Sequence, residues 1–469
     1  MKNKLYKTLL IGLVATFALG GVSCTRGGDP EAQRAFQRVD LEYWTVFNSP
    51  DDFTEVIADY EALHPNVNIN IQKFRFEEYE QMLLNALAED RGPDIFSVHN
   101  SWVPSYRSKL MPLPPTTTLA VQGVTGTVKK EVVTQFQTTR SLNEFELRQN
   151  FLEQVYEDVF IEEMAIVDGE EAFGEPRIYA LPVAFDTMAM YFNRDLLDNS
   201  GIAQPARTWN EFQEHVGRLA RFDSNRNILT AGAAMGTSEN VPRAIDILSV
   251  LMLQNGAEME AGGAVNFHRI PESLRGLRQE IPGVQATDFY TSFANPNRQS
   301  FTWDESQPDG FDAFLQGRVG YFFGYQYHQE LIRGLAPALN FGVSSLPQIS
   351  GNQTVNYANY WVEGVSRKTP NIDIAWDFVQ FMTSTQEASK YLARSGQPTA
   401  LRELVPLQQE DPNLFVFASQ LLTAQSWYHG QDPGAMEAIM KDLIDSVLAG
   451  EDQTRDLLEL AAQRVQQTY

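Results

Sequence analysis

At 469 residues the chain exceeds one comfortable hydrophobic core, so about two domains are expected. With 36 Lys and Arg against 60 Asp and Glu, the net charge is -24, which argues against a nucleic-acid partner because phosphate binding needs clustered cations. A composition 43% hydrophobic and 20% charged suits a soluble globular protein and excludes a disordered one.

The first residues stand apart. Lys2, Lys4 and Lys7 precede the apolar run Leu9–Leu19, and the small residues Gly20–Ser23 follow. This is the pattern of a secretory signal peptide over 1–23, and the run is shorter than the about 20 apolar residues a spanning helix needs. Cys24 is the only cysteine, so no intrachain disulfide forms and the fold rests on its cores. A thiol directly after Gly-Val-Ser resembles the bacterial lipoprotein box, where that cysteine receives lipid and becomes the mature N-terminus. Gly21 stands where that box usually has Leu, with Leu19 two residues further back. The resemblance implies lipidation of Cys24, plain secretion being the alternative, and makes 24–37 a tether.

Leu41–Phe47 alternates as a first strand ending at Asn48-Ser49-Pro50. Phe53, Val56, Ile57, Tyr60 and Leu63 keep helical spacing up to His64-Pro65, and Val67–Ile71 has period two. Tyr79–Leu87 reads as an amphipathic helix, and Gly92-Pro93 then introduces Asp94-Ile95-Phe96-Ser97-Val98. Strand, helix, strand, helix, strand is the signature of a parallel sheet covered by helices. Ligands bind beyond the carboxyl ends of such strands, which makes His99, Asn100, Ser101 and Trp102 pocket candidates.

Further on, Leu110–Pro115 reads as a loop, Thr116–Gly126 as polar and Gly-bearing, and 140–165 as helical and acidic. Tyr179–Asp186 and Met188–Asn193 read as strands, with Arg194 opening a helix. Thr208 and Glu211 make a capping-box-like start to the next helix. Val319–Gly324 reads as a strand ending in Tyr325-Gln326-Tyr327-His328, Tyr357–Val365 as another, and 373–383 as a helix. From 411 the chain is expected to be helical, with one long amphipathic tail over 434–467.

Catalytic and cofactor motifs are sparse. The six histidines lack HxxxH or HExxH spacing, so no metal site is expected. Asp223–Asn227 imitates the start of a calcium loop, but Ile228 replaces the required Gly and Ala234 the closing Glu, leaving a surface turn. No GxxxxGK[ST], no GxGxxG between strand and helix, and no GxSxG occurs, so no nucleotide cofactor or serine nucleophile is expected. Sixty acidic residues leave glycoside cleavage by a carboxylate pair open, since nothing singles one pair out. What stands out is aromatics after strands: Trp102, Tyr191, Trp303, Tyr325, Tyr327, Tyr360-Trp361 and Trp427-Tyr428. Such rings present apolar faces for stacking on the C–H surfaces of sugars, with core packing as the alternative for each ring alone.

The ordered stretches Pro93–Phe96, Tyr179–Val183, Met190–Leu197, Thr208–Phe212, Gly317–Tyr321 and Ala375–Phe381 resemble the family 1 extracellular solute-binding proteins of bacterial ATP-driven sugar importers. The resemblance implies an α/β, two-lobed periplasmic-binding-protein type II fold, with the ligand cleft between lobes joined by crossover strands. It puts the crossings near Val183–Asp186, near Phe341–Ser345 and near Asp411-Pro412. The lobes would then be 38–185 with 343–410, and 186–342 with 411–469. It also implies ligand contacts from Asn48, His99, Asn100, Trp102, Asp186, Tyr325, Tyr327, Tyr360, Trp361 and Trp427. Asn100 and Ser101 depart from the acidic and basic residues that sugar binders often carry there, and Glu363 is a further candidate carboxylate.

The expected protein is a monomeric, non-enzymatic receptor outside the cytoplasm, anchored through Cys24. It closes by a hinge around a carbohydrate, expected to be an oligosaccharide, and delivers it to the permease of an ATP-driven importer. The alternatives are a secreted carbohydrate-active enzyme, or the same fold serving a peptide or polyamine.

Overall fold

A computed structural model of the protein describes residues 29–126, 130–167 and 170–469, without the side chains of 164–167 and 170–172. The expected signal peptide and Cys24 lie outside the described residues. The chain divides into two compact units, a small one of residues up to 37 with 118–137 and a large one of 38–117 with 138–469. In the small unit, Asp29 caps the helix Pro30–Ala35 by accepting from Glu31 N, and its own N–H donates to Thr134 O at 3.1 Å. The part of the expected tether from 29 to 37 therefore holds a helix.

The large unit is built on two five-stranded sheets. The first runs in the order Val67–Lys73, Val39–Thr45, Ile95–His99, Trp361–Val365, Ala180–Leu181. Its first three strands are parallel, as the alternation with helices dictates, whereas Trp361–Val365 is antiparallel to both of its neighbours. The second sheet runs Arg221–Phe222, Ile228–Ala233, Val319–Gly324, Ala189–Asn193, Phe341–Ser344. Strand Val319–Gly324 is wholly buried, the expected state of a central strand covered on both faces.

Each sheet has its own hydrophobic cluster, and the residues at which the chain changes cluster mark the crossings. Phe185 packs in the first and Met188 in the second; Tyr357 is in the second and Ala358 in the first; Ala424 is in the first and Trp427 in the second. At these changeovers lies a three-stranded ribbon, Ala424–Gln425 beside Asn356–Asn359 beside Asp186–Thr187. Phe341–Ser344, placed by resemblance at a crossing, is instead an edge strand of the second sheet, paired to Ala189–Asn193. The second crossing falls at Asn356–Asn359 and the third at Ala424–Gln425, not at Asp411-Pro412. Most of the chain between them stays with the first cluster, where Ala375, Trp376, Phe378 and Leu421 bury, while Val416 and Phe417 pack on the second.

Several elements differ from the sequence expectation. Thr116–Thr125 and Glu131–Arg140 pair as a hairpin. The acidic stretch ends as helix at Val159 and continues as a hairpin of Phe160–Val167 with Glu170–Ile178. The C-terminal tail is two helices, Pro433–Ala449 and Thr454–Gln466, parted at Gly450, whose φ of +69° suits a glycine cap. Thr208 does cap its helix, but Glu211 reaches Arg207 N rather than closing a box on Thr208. At Asp223 the carboxylate accepts from Asn225 N, Asn227 N and Asn227 Nδ2, a self-contained turn.

Candidate ligand-binding cleft

The Ile95–His99 strand delivers His99 to the end of the first sheet, where a single turn, Asn100–Trp102, follows. Its antiparallel neighbour begins at Trp361, in direct register with His99, so the two rings meet at 5.7 Å. Trp102 lies 5.3 Å from Trp361 at 69° and is backed by Tyr106 at 5.9 Å and 15°. From the second lobe, Tyr327 comes within 6.2 Å of Phe47 in the first, and it is 41% exposed. Edge-on and offset contacts of this kind are favourable for aromatic rings and leave faces open for a ligand.

Facing this wall is a charged pair. Arg243 has a φ of +58°, a left-handed conformation unfavourable for a residue with a side chain. It precedes the helix Ala244–Gln254, and its Nε and Nη2 donate to the two oxygens of Asp246 at 2.7 and 2.9 Å. Asp246, buried, also accepts from Tyr325 OH at 2.5 Å and from Asn359 Nδ2 at 3.4 Å. Nη1 of Arg243 has no partner among the described residues. Burial, then the Arg243 charge, pushes His99 down to about 4, so it is neutral at physiological pH. Asp186 sits on the ribbon, accepting from Gln326 N at 2.9 Å and Thr187 N at 2.8 Å; burial pushes it up to about 8 against those bonds.

A buried knot around Asp158 ties residues of the two lobes together. Asp158, 1% exposed, accepts from Tyr360 OH at 2.5 Å, Gln154 Nε2 at 2.8 Å, Asn100 Nδ2 at 3.0 Å, and Ser426 Oγ. His429, from the second lobe, places Nε2 3.0 Å from Asp158 and Nδ1 2.7 Å from Glu260. Burial alone would lower the His429 pKa, but its hydrogen bonds to the two carboxylates and their charges outweigh it and hold it at about 10. The same bonds keep Asp158 below its ordinary value despite burial. Asn100 thus serves the knot through Nδ2, while its buried Oδ1 accepts no hydrogen bond from the described residues.

Among the expected contact residues, the structure brings His99, Trp102, Trp361, Tyr327 and Asp186 to the cleft, while Asn100 is buried in the knot. Four others are committed to protein partners instead. Asn48 is buried, bonding Glu363 Oε1 at 2.9 Å and Tyr391 OH at 2.7 Å. Tyr325 is 2% exposed and holds Asp246; Tyr360, 3% exposed, holds Asp158; Trp427, 3% exposed, donates to Ser249 Oγ at 3.0 Å. Glu363 is likewise no cleft carboxylate: it is buried with Ser97 Oγ at 2.6 Å, and burial pushes it up to about 7. Sequence reading missed Arg243, Asp246, Asn359, Asp158 and His429. Only Phe47, last residue of the predicted first strand, carried a signal, being another aromatic at a strand end.

Two sheets joined by a three-strand ribbon, with polar and aromatic groups converging from both sides, define a two-lobed binding protein of the periplasmic type II class. Residues 47–389 match the model of the bacterial extracellular solute-binding protein family, and the chain belongs to that family. A binding protein of Brucella abortus is 20% identical over 422 residues, 88% of this chain and 84% of that one. A diacetylchitobiose-binding protein of Streptomyces coelicolor is 22% identical over 354 residues, 74% of this chain and 70% of that one. The fold is shared with a substrate-binding protein of a Listeria monocytogenes ABC transporter, solved with cycloalternan, at a TM-score of 0.66 and 16% identity over 92% of this chain and 99% of that one.

Proposed function

We propose that the chain is the extracytoplasmic receptor of an ATP-driven importer and that it binds a saccharide between its lobes. The observation that carries this reading is the convergence of Trp102, Trp361 and Tyr327 with two hydroxyl-seeking groups, Asp186 and the free Nη1 of Arg243. Flat rings take the C–H faces of a pyranose, and the polar set takes its hydroxyls. Family membership and the sugar ligands named for its relatives support the same reading. Asp246 is neutralised by Arg243, which weighs against a polycationic solute. No helix of the described residues is long and apolar enough to cross a membrane; retention at the cell surface would fall to lipid on Cys24. Lobe closure would turn on the ribbon, with the ligand favouring the closed state by touching both lobes.

A thermal-shift screen against gluco-, manno- and chito-oligosaccharides tests the reading. A saccharide should raise the melting temperature, and prolonged incubation should leave it uncut. Cleavage products would move the assignment to a carbohydrate-active enzyme. Mass analysis of the mature N-terminal peptide should find diacylglycerol on Cys24, absent in Cys24→Ser.

A further inference from the structure

Asp158 is buried and meets no ligand, yet the side chains it holds adjoin the aromatic wall. Asn100, whose Nδ2 donates to Asp158 Oδ2 at 3.0 Å, stands two residues before Trp102. Tyr360, whose hydroxyl donates to the same oxygen at 2.5 Å, stands immediately before Trp361. The backbone joins the two segments, since Asn100 N donates to Tyr360 O at 3.1 Å. Ser426 Oγ closes the group, accepting from Asn100 Nδ2 at 2.9 Å and donating to Asp158 Oδ2 at 3.1 Å. A single carboxylate therefore grips the chain just ahead of each tryptophan.

That grip falls where the backbone alone holds least. Trp102 ends the single turn Asn100–Trp102, and Trp361 opens the strand Trp361–Val365. Element ends fray, so the anchors behind them decide where such rings point. The far side of the carboxylate belongs to the second lobe. His429 Nε2 lies 3.0 Å from Asp158 Oδ1, and its Nδ1 lies 2.7 Å from Glu260 Oε1. Placed between two carboxylates, both ring nitrogens donate, so the imidazole cannot turn away without losing a partner.

We propose that Asp158 and His429 are positioning residues for the ligand: the bond between them fixes the mutual angle of Trp102 and Trp361 and registers it against the second lobe. The inference rests on the carbohydrate reading and deepens it, naming residues that never touch the sugar but set the rings that do. A binding constellation works only when groups behind it hold it within about 0.5 Å and 10–20° of its productive geometry. Asp158 supplies that support from within the first lobe, and His429 makes it depend on the lobes being together.

The test reads the rings directly. Two indoles 5.3 Å apart at 69° couple excitonically and give paired circular-dichroism bands of opposite sign, which shrink or invert when distance or angle changes. The part of the spectrum that Trp361→Phe removes identifies this pair. In the ligand-free full chain, His429→Gln should lose most of that signal. Its calorimetric affinity for the saccharide with the largest thermal shift should fall about tenfold, equivalent to about 1.4 kcal/mol. Tyr360→Phe, which keeps the buried ring and removes only the donor ahead of Trp361, should weaken both readouts in the same direction. Leu219→Ala, a core truncation on the helix Trp209–Leu219, should lower the melting temperature and leave both readouts unchanged. Wild-type signal and affinity in His429→Gln and Tyr360→Phe overturn the proposal, as does a matching loss in Leu219→Ala. Affinity lost with the signal intact also overturns it, because the rings have then not moved. A wild type that binds no saccharide overturns the carbohydrate reading, and the ligand-free signal then still decides whether Asp158 and His429 set the rings.

Discussion

Replacing His429 with Gln removes the cation shared by Asp158 and Glu260 while keeping a side chain able to hydrogen-bond. Its two limbs differ in environment: Asp158 is 1% exposed and Glu260 28%. The Glu260 limb is partly solvated and worth at most about 1 kcal/mol. The Asp158 limb is buried, and stripping one partner from a buried pair costs about 3–5 kcal/mol. Asp158 keeps four other donors, Tyr360, Asn100, Gln154 and Ser426, which places the loss at the low end, about 3 kcal/mol. The pH dependence follows from the raised pKa. The folded protein holds the His429 proton up to about 10, whereas the unfolded chain releases it near 6.5. The contribution is thus fully present below 6.5 and is lost as pH rises toward 10. Urea unfolding at pH 6 should show the full difference between wild type and His429→Gln, and at pH 10 little of it. An equal difference at both pH values would refute the cross-lobe ion pair.

Three further outcomes are expected. Glu363 is raised to about 7 by burial, so the folded state binds its proton more tightly than the unfolded one, and stability should fall between about pH 4.5 and 7; Glu363→Gln should flatten that slope in a urea titration. Arg243→Ala leaves Asp246 unpaired and should destabilise by about 3 kcal/mol. Arg243→Gly should be more stable than Arg243→Ala by about 1 kcal/mol, because only glycine adopts the left-handed backbone at no cost; equal stabilities would contradict the strain at this position. Tyr360→Phe removes one donor from Asp158 and should cost about 1.5–3 kcal/mol in thermal or urea unfolding, as for a hydrogen bond to a charged group.

The α/β architecture was legible where burial leaves a local pattern. The opening strands alternate, their helices stop at His64-Pro65 and before Gly92-Pro93, and family-like stretches follow in order. The Thr116–Arg140 hairpin was not legible, because its strands are mostly exposed and carry no sustained apolar face. Tyr360-Trp361 shows the limit most clearly. The two aromatics are adjacent, yet the chain passes between them from the ribbon to the first sheet, burying Tyr360 on Asp158 and leaving Trp361 at the cleft. Asp158 reads in sequence as one acid on a solvated helix; its partner His429 is 271 residues away. Arg243 owes its place to an unusual backbone angle that no local composition announces.

The account stands or falls on a saccharide that touches both lobes. Calorimetry should be run on the wild type, Asp186→Ala on the ribbon, Tyr327→Ala in the second lobe and Trp361→Ala in the first, with the saccharide that gives the largest thermal shift. One-to-one binding is predicted for the wild type. Asp186→Ala should lose about two- to tenfold in affinity, from a hydrogen bond of a mostly protonated carboxyl worth about 0.5–1.5 kcal/mol. Each ring deletion should lose about two- to tenfold, from stacking worth about 0.5–1.5 kcal/mol. Full wild-type affinity in all three variants, with their folds intact by circular dichroism, would contradict the account and place the ligand elsewhere.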